Sequence, residues 1–153
     1  MCDSTDPSGD LTCAFAEALE TMAFITPGPG RVPFRAPPDG VRVRVGFTGP
    51  SAGAVELIAD RALGRTLVEN TTASAPAADA DPDDALKELV NVACGLFLRR
   101  RPAAGAFELS VPTVTPAGAT PPAATATVLD LDGHDVAIHL VDTAEHLTEA
   151  APC

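Results

Sequence analysis

The chain has 153 residues, 46% of them hydrophobic, which suits a single domain with a core of its own. Its formal net charge of −11 argues against nucleic-acid or anionic-membrane binding, both of which need a basic patch. No apolar run reaches the ~18 residues a membrane helix needs, and the N-terminus lacks a basic-then-apolar leader, so a cytoplasmic location is expected.

Residues 1–10 are polar and read as a flexible N-terminal tail, followed by one domain over 11–145 and a C-terminal tail at 146–153. Leu11, Phe15, Leu19 and Met22 recur at helical spacing and predict a first helix over 11–25. The TPGPG run stops it and opens a turn-rich loop through Pro38. Val41, Val43, Val45 and Phe47 alternate with Arg42, Arg44 and Gly46, the pattern of a half-buried strand. A second strand over 53–58 would close a hairpin across the Gly49–Gly53 turn, with a short helix at 59–68 and an Ala/Thr/Asp/Pro-rich loop at 70–82. A long helix follows from 82 to about 100, then strands near 106–113, 123–131 and 135–141. The segment 115–124 reads as loop or strand entry, and AEHLTEA in the tail could add a helical turn. This is an α+β pattern, with helices on one face of an antiparallel sheet.

The four cysteines, Cys2, Cys13, Cys94 and Cys153, match neither a zinc knuckle nor a C-x-x-C redox site. Cys94 flanks an apolar stripe and reads as a small core residue. His134, His139 and His146 are too few and too separated to propose a metal site. Arg99, Arg100 and Arg101 fit a helix C-terminus, where cations offset the dipole, and Lys87 is expected to pair with Asp83 four residues before it.

The long helix, DPDDALKELVNVACG over 81–95, is the most informative stretch. Asp81 is a natural N-cap, Pro82 sits at the first helical position, and Asp84 can reach back to close a capping box. Leu86, Leu89, Val90, Ala93, Leu96 and Phe97 form one apolar stripe. Opposite them lie Asp84, Glu88, Asn91 and Gly95. Most such faces are the solvated back of an amphipathic helix. Here, however, Asn and Gly are poor mid-helix choices, and Gly alone costs roughly 1 kcal/mol against Ala. A glycine beside a carboxylate and a carboxamide leaves a flat spot that another surface can approach.

The pattern D-x-x-x-E-x-x-N-x-x-x-G, formed by Asp84, Glu88, Asn91 and Gly95, resembles the signature helix of the CheX/CheC/FliY phosphatases, which act on phosphorylated CheY-type response regulators. Two further features fit in the right order: VGFTGPSAGAVELIAD upstream is similar to that superfamily's paired strands, and FELSVPTV downstream carries its serine-x-proline as Ser110 and Pro112. The likeness runs from about residue 11 to 142. The first helix reads Glu17-Ala18-Leu19-Glu20 where CheC-type members carry a second E-x-x-N, so a single site resembles the CheX branch.

The resemblance implies long helices packed on an antiparallel sheet, and a receiver phosphoaspartate as substrate. Asn91 would position the attacking water, and Glu88 would dock the receiver's lysine. Gly95 would give clearance to the partner, and Asp84 would either touch the partner or serve as a helix cap. The chain itself would need no cofactor, the Mg²⁺ being carried by the receiver. A homodimer formed through the sheets is also implied. Two further hypotheses come from other classes: a non-catalytic dimeric module that binds receivers through the same helix, and a structural subunit resembling the flagellar-switch relatives.

Overall fold

The computed structural model describes residues 6–71, 80–101, 105–118 and 125–142. Most of the expected 70–82 loop, much of 115–124 and the possible helical turn after 142 lie outside the described residues. Helix α1 spans Pro7–Ala23, with an extended Asp6 ahead of a proline in the first turn. It starts ahead of the expected residue 11, so residues 7–10 are helical. It ends at Phe24, which takes the left-handed conformation (φ 57°) and donates its N–H to the Leu19 carbonyl. Loss of helical geometry two residues before the expected end reflects this cap, not the TPGPG run alone.

Strand β1 (Gly28–Pro29) is a two-residue edge inside the segment expected to be loop. Strands β2 (Gly40–Thr48) and β3 (Gly53–Asp60) form the expected hairpin, with Val45 opposite Val55. Helix α2 (Arg61–Thr71) and helix α3 (Pro82–Arg99) follow. The predicted strand near 106–113 is two short pieces, β4 (Glu108–Leu109) and β5 (Thr113–Pro116). Strands β6 (Thr127–Leu131) and β7 (His134–Asp142) meet across Asp132 and Gly133, both at positive φ, as a two-residue hairpin turn demands. Among the described residues all pairings are antiparallel, in the order β1-β6-β7-β3-β2, with β4 and β5 sharing the outer edge of β2.

Period-2 alternation sends Val41, Val43, Val45 and Phe47 to one face of β2. There they join Val55 and Leu57 of β3, Val136 and Ile138 of β7, and the apolar stripes of α1, α2 and α3 in one core. Each such side chain contributes roughly 1.5–3 kcal/mol when fully buried. The other face of the sheet carries a smaller cluster of Phe34, Ile58, Ala117 and Ala137. Beside it the buried Glu56 carboxylate is gripped by Arg42 at 3.0 Å and Arg44 at 2.9 Å. No helix among the described residues is long and apolar enough to cross a membrane.

Candidate functional site

Helix α3 is held on two sides. Its N-terminus is capped by Asp81, whose Oδ1 accepts from the Asp83 N–H at 2.9 Å. The Asp83 carboxylate ties it to the start of α2, 3.1 Å from Arg61 Nε, and raises the Arg61 pKa by that hydrogen bond and its charge. Lys87 therefore does not pair with Asp83 as expected: its Nζ lies 3.3 Å from Asp84 Oδ1. The same contact turns the Asp84 carboxylate along the helix, and no capping box closes.

The inward face is more closely packed than the stripe predicts. Leu86, Leu89, Val90, Ala93 and Phe97 are fully buried, and Cys94 and Leu98 join them, while Leu96 is a half-buried flank. Burial pushes the Cys94 thiol up to about 11 from 9.0. Phe97 leans on Phe47 of β2 with ring centroids 6.4 Å apart, and Phe47 in turn meets Phe107 edge-on at 6.0 Å. Phe47 of β2 thus links α3 to the segment leading into β4. The arginine triplet divides its work. Arg99 stands in the last turn, Arg100 reaches Glu17 of α1 at 2.9 Å, and the Arg101 guanidinium lies 5.4 Å above the Phe97 ring.

The outward face carries Asp84 and Glu88, both exposed, and Asn91 and Gly95, both half-buried. Spacings of three and four residues put them on successive turns of one side. Among the described residues, neither the Glu88 nor the Asn91 side chain has a hydrogen-bond or ion-pair partner. A Cβ built on Gly95 would meet nothing within 4 Å, so no intramolecular contact requires glycine there. Gly95 instead opens onto a depression of about 380 Å³ walled by Leu98, Arg101, Phe107 and Leu109. All four predicted site residues therefore lie along one side of α3, with Gly95 at the depression.

The wall of that depression comes from a different element, and helical periodicity gives no view of it. In the sequence Ser110 stands out only as part of a motif, and its neighbours Leu109 and Val111, 38% and 83% exposed, do not stand out at all. Two apolar residues flanking a serine, next to a proline that breaks the strand, are the signal that points to them. On α1, Glu17 and Glu20 are exposed but flank buried Ala18 and Leu19, so that helix presents no second carboxylate–carboxamide pair. Among the described residues no three His, Cys, Asp or Glu side chains cluster closely enough to hold a metal ion.

Residues 41–125 match the family described as chemotaxis phosphatase CheX, more than half of the chain. The chain belongs to the CheX family. The matched stretch includes the β2–β3 hairpin, all of α3 and the serine-x-proline segment. Among curated proteins no sequence matches. Solved structures of similar fold include chemotaxis protein CheX from Vibrio vulnificus, at a TM-score of 0.66 and 16% identity over 90% of this chain and 96% of that one. Another is CheX of Borrelia burgdorferi in a CheX–CheY–BeF3–Mg²⁺ complex, at a TM-score of 0.63 and 15% identity over 90% of this chain and 98% of that one. A third is CheX from Desulfovibrio desulfuricans, at 0.60 and 20% over 88% and 98%. At these identities the likeness is one of fold. The CheX architecture, helices on one face of an antiparallel sheet, is the one expected from the sequence.

Proposed function

We propose that this CheX-family chain dephosphorylates the phosphoaspartate of a CheY-type receiver domain seated on the outer face of α3. The observation that carries the reading is the contrast between the two faces of that helix. One is buried apart from its half-buried flank at Leu96, while the other offers Glu88 and Asn91 with no side-chain partner among the described residues, beside a glycine that leaves clearance. The Borrelia CheX–CheY complex supports a receiver as the partner.

An acyl phosphate is already activated, and the receiver supplies its own Mg²⁺ and lysine. What remains is holding a water in line with phosphorus. The Asn91 carboxamide suits that role, since its oxygen accepts from the water while its NH₂ tolerates phosphoryl oxygens. Glu88, three residues earlier, would repel a phosphoryl group if left alone. Paired with the receiver's lysine it fixes the register of docking. Asp84, tied to Lys87, lies at the rim and sets local charge. Ser110 is no nucleophile in this reading, since its hydroxyl is already engaged by a main-chain amide. No covalent enzyme intermediate is needed. Two such chains would pair through their sheets, leaving both α3 helices free.

Incubation of the chain with a phosphorylated CheY-type receiver tests this, phosphate release being followed with time. Release faster than the receiver's own rate is expected; a rate unchanged by the chain refutes the reading.

A further inference from the structure

The segment along the free edge of β2 runs in two registers. β4 sets Leu109 opposite Phe47 and Glu108 opposite Thr48. β5 sets Thr113 opposite Arg44 and continues to Pro116 opposite Val41. Between them two β2 residues, Val45 and Gly46, face three, Ser110, Val111 and Pro112. The serine-x-proline segment is therefore a β-bulge, a device that re-aims a side chain at a sheet edge.

Its hydrogen bonding explains why serine stands there. The Ser110 N–H donates to the Gly46 carbonyl at 2.8 Å. A regular antiparallel pair would return the Gly46 N–H to the Ser110 carbonyl. It donates instead to the Ser110 hydroxyl oxygen, also at 2.8 Å. The side chain replaces a main-chain acceptor, and the chain is free to swing outward after it. Pro112 has no N–H, so the bulge strands no donor there. The approach is close: a Cβ on Gly46 would lie 3.2 Å from that hydroxyl oxygen.

The bulge leaves Val111 83% exposed, following Leu109, which lines the same depression as Gly95. Holding a valine out in water gains nothing within the chain. Leu109 thus reaches the depression beside Gly95, on the side of α3 that also carries Asn91.

We propose that Ser110 is a positioning residue for receiver docking: its hydroxyl locks the bulge to Gly46 and so holds Leu109 and Val111 as an apolar ledge against the receiver seated on α3. The inference rests on the proposed function for its partner, while the hydrogen-bond lock is a property of the chain alone.

The test compares Ser110→Ala, Ser110→Thr and Val111→Asp in the full chain, using a CheY-type receiver phosphorylated with acetyl phosphate, and follows hydrogen exchange of the Gly46 amide in parallel. Ser110→Ala should speed Gly46 exchange and raise KM for the receiver about fivefold with kcat retained, the loss of about one net hydrogen bond. Ser110→Thr keeps the hydroxyl and should restore both. Val111→Asp should raise KM while Gly46 exchange stays as in wild type. Unchanged Gly46 exchange in Ser110→Ala overturns the lock. Faster exchange with unchanged KM, or an unchanged KM in Val111→Asp, overturns the ledge. If wild type releases no phosphate, the proposed function fails, and the ledge is then decided by binding of the receiver charged with beryllium fluoride. Binding weakened by Val111→Asp upholds it, and equal or absent binding overturns it.

Discussion

At the scale of single residues, substitution of Gly95 separates stability from the proposed docking most cleanly. An interior helical glycine costs roughly 1 kcal/mol against alanine, and open space surrounds it here. Gly95→Ala should therefore raise the stability of the isolated chain by up to about 1 kcal/mol in denaturant unfolding while weakening activity on the receiver. Greater stability with full activity would remove Gly95 from the interface. Glu88 is exposed and has no side-chain partner among the described residues, so Glu88→Ala should leave unfolding unaltered. Its receiver affinity should fall about tenfold, at the low end for a docking charge because the site is open to water. Glu88→Lys, setting like charges face to face, should be worse. Asp84→Asn serves as the control: it removes only an exposed pair with Lys87, and titration of receiver binding should detect little change.

At the scale of elements, α3 is the most legible part of the sequence. Asp81-Pro82 announces its start, and the 3.6-residue period places Leu86, Leu89, Val90, Ala93 and Phe97 in the core. The same Asp-Pro signal stands at Asp6-Pro7, but the turn after it is polar, so apolar periodicity alone starts α1 too late, at its first apolar residue. β1 is two residues of Gly-Pro, with no periodicity to read. The bulge is invisible to alternation, because one inserted residue resets the phase between β4 and β5. Side-chain pairings among charged neighbours are the least predictable. Asp83 and Asp84 each have Lys87 within reach along the helix, and Arg61 arriving from α2 decides between them. The packing of α3 also carries a pH signature. The folded chain holds Cys94 protonated to about 11, whereas the unfolded thiol ionises near 9.0. Its contribution is intact below pH 9 and is lost as pH rises from 9 toward 11, by up to about 1.4 kcal/mol per pH unit. Urea midpoints measured at pH 8 and pH 10.5 should show that decline in wild type and a smaller one in Cys94→Ala, and equal declines would refute it.

At the scale of the whole molecule, the sheet formed by the described residues ends in short edges, β1 on one side and the broken β4–β5 pair on the other. Short, interrupted edges limit open-ended strand addition. The face away from the helices is partly covered by Phe34 and braced by the Arg42–Glu56–Arg44 cluster. We expect a homodimer that leaves α3 free, and light scattering at tens of micromolar should give twice the chain mass of 15.6 kDa. A monomer there, or a dimer in which Asn91 becomes protected, would contradict that assembly. In the proposed reaction Asn91 would act only in the transition state, by holding a water, so its loss should spare binding and remove rate. The most direct measurement is phosphate release from a phosphorylated CheY-type receiver by Asn91→Ala beside wild type, with receiver affinity determined for both. The account predicts similar affinity and loss of most of the rate. An Asn91→Ala chain that dephosphorylates as fast as wild type would contradict it and leave α3 a docking surface without catalysis.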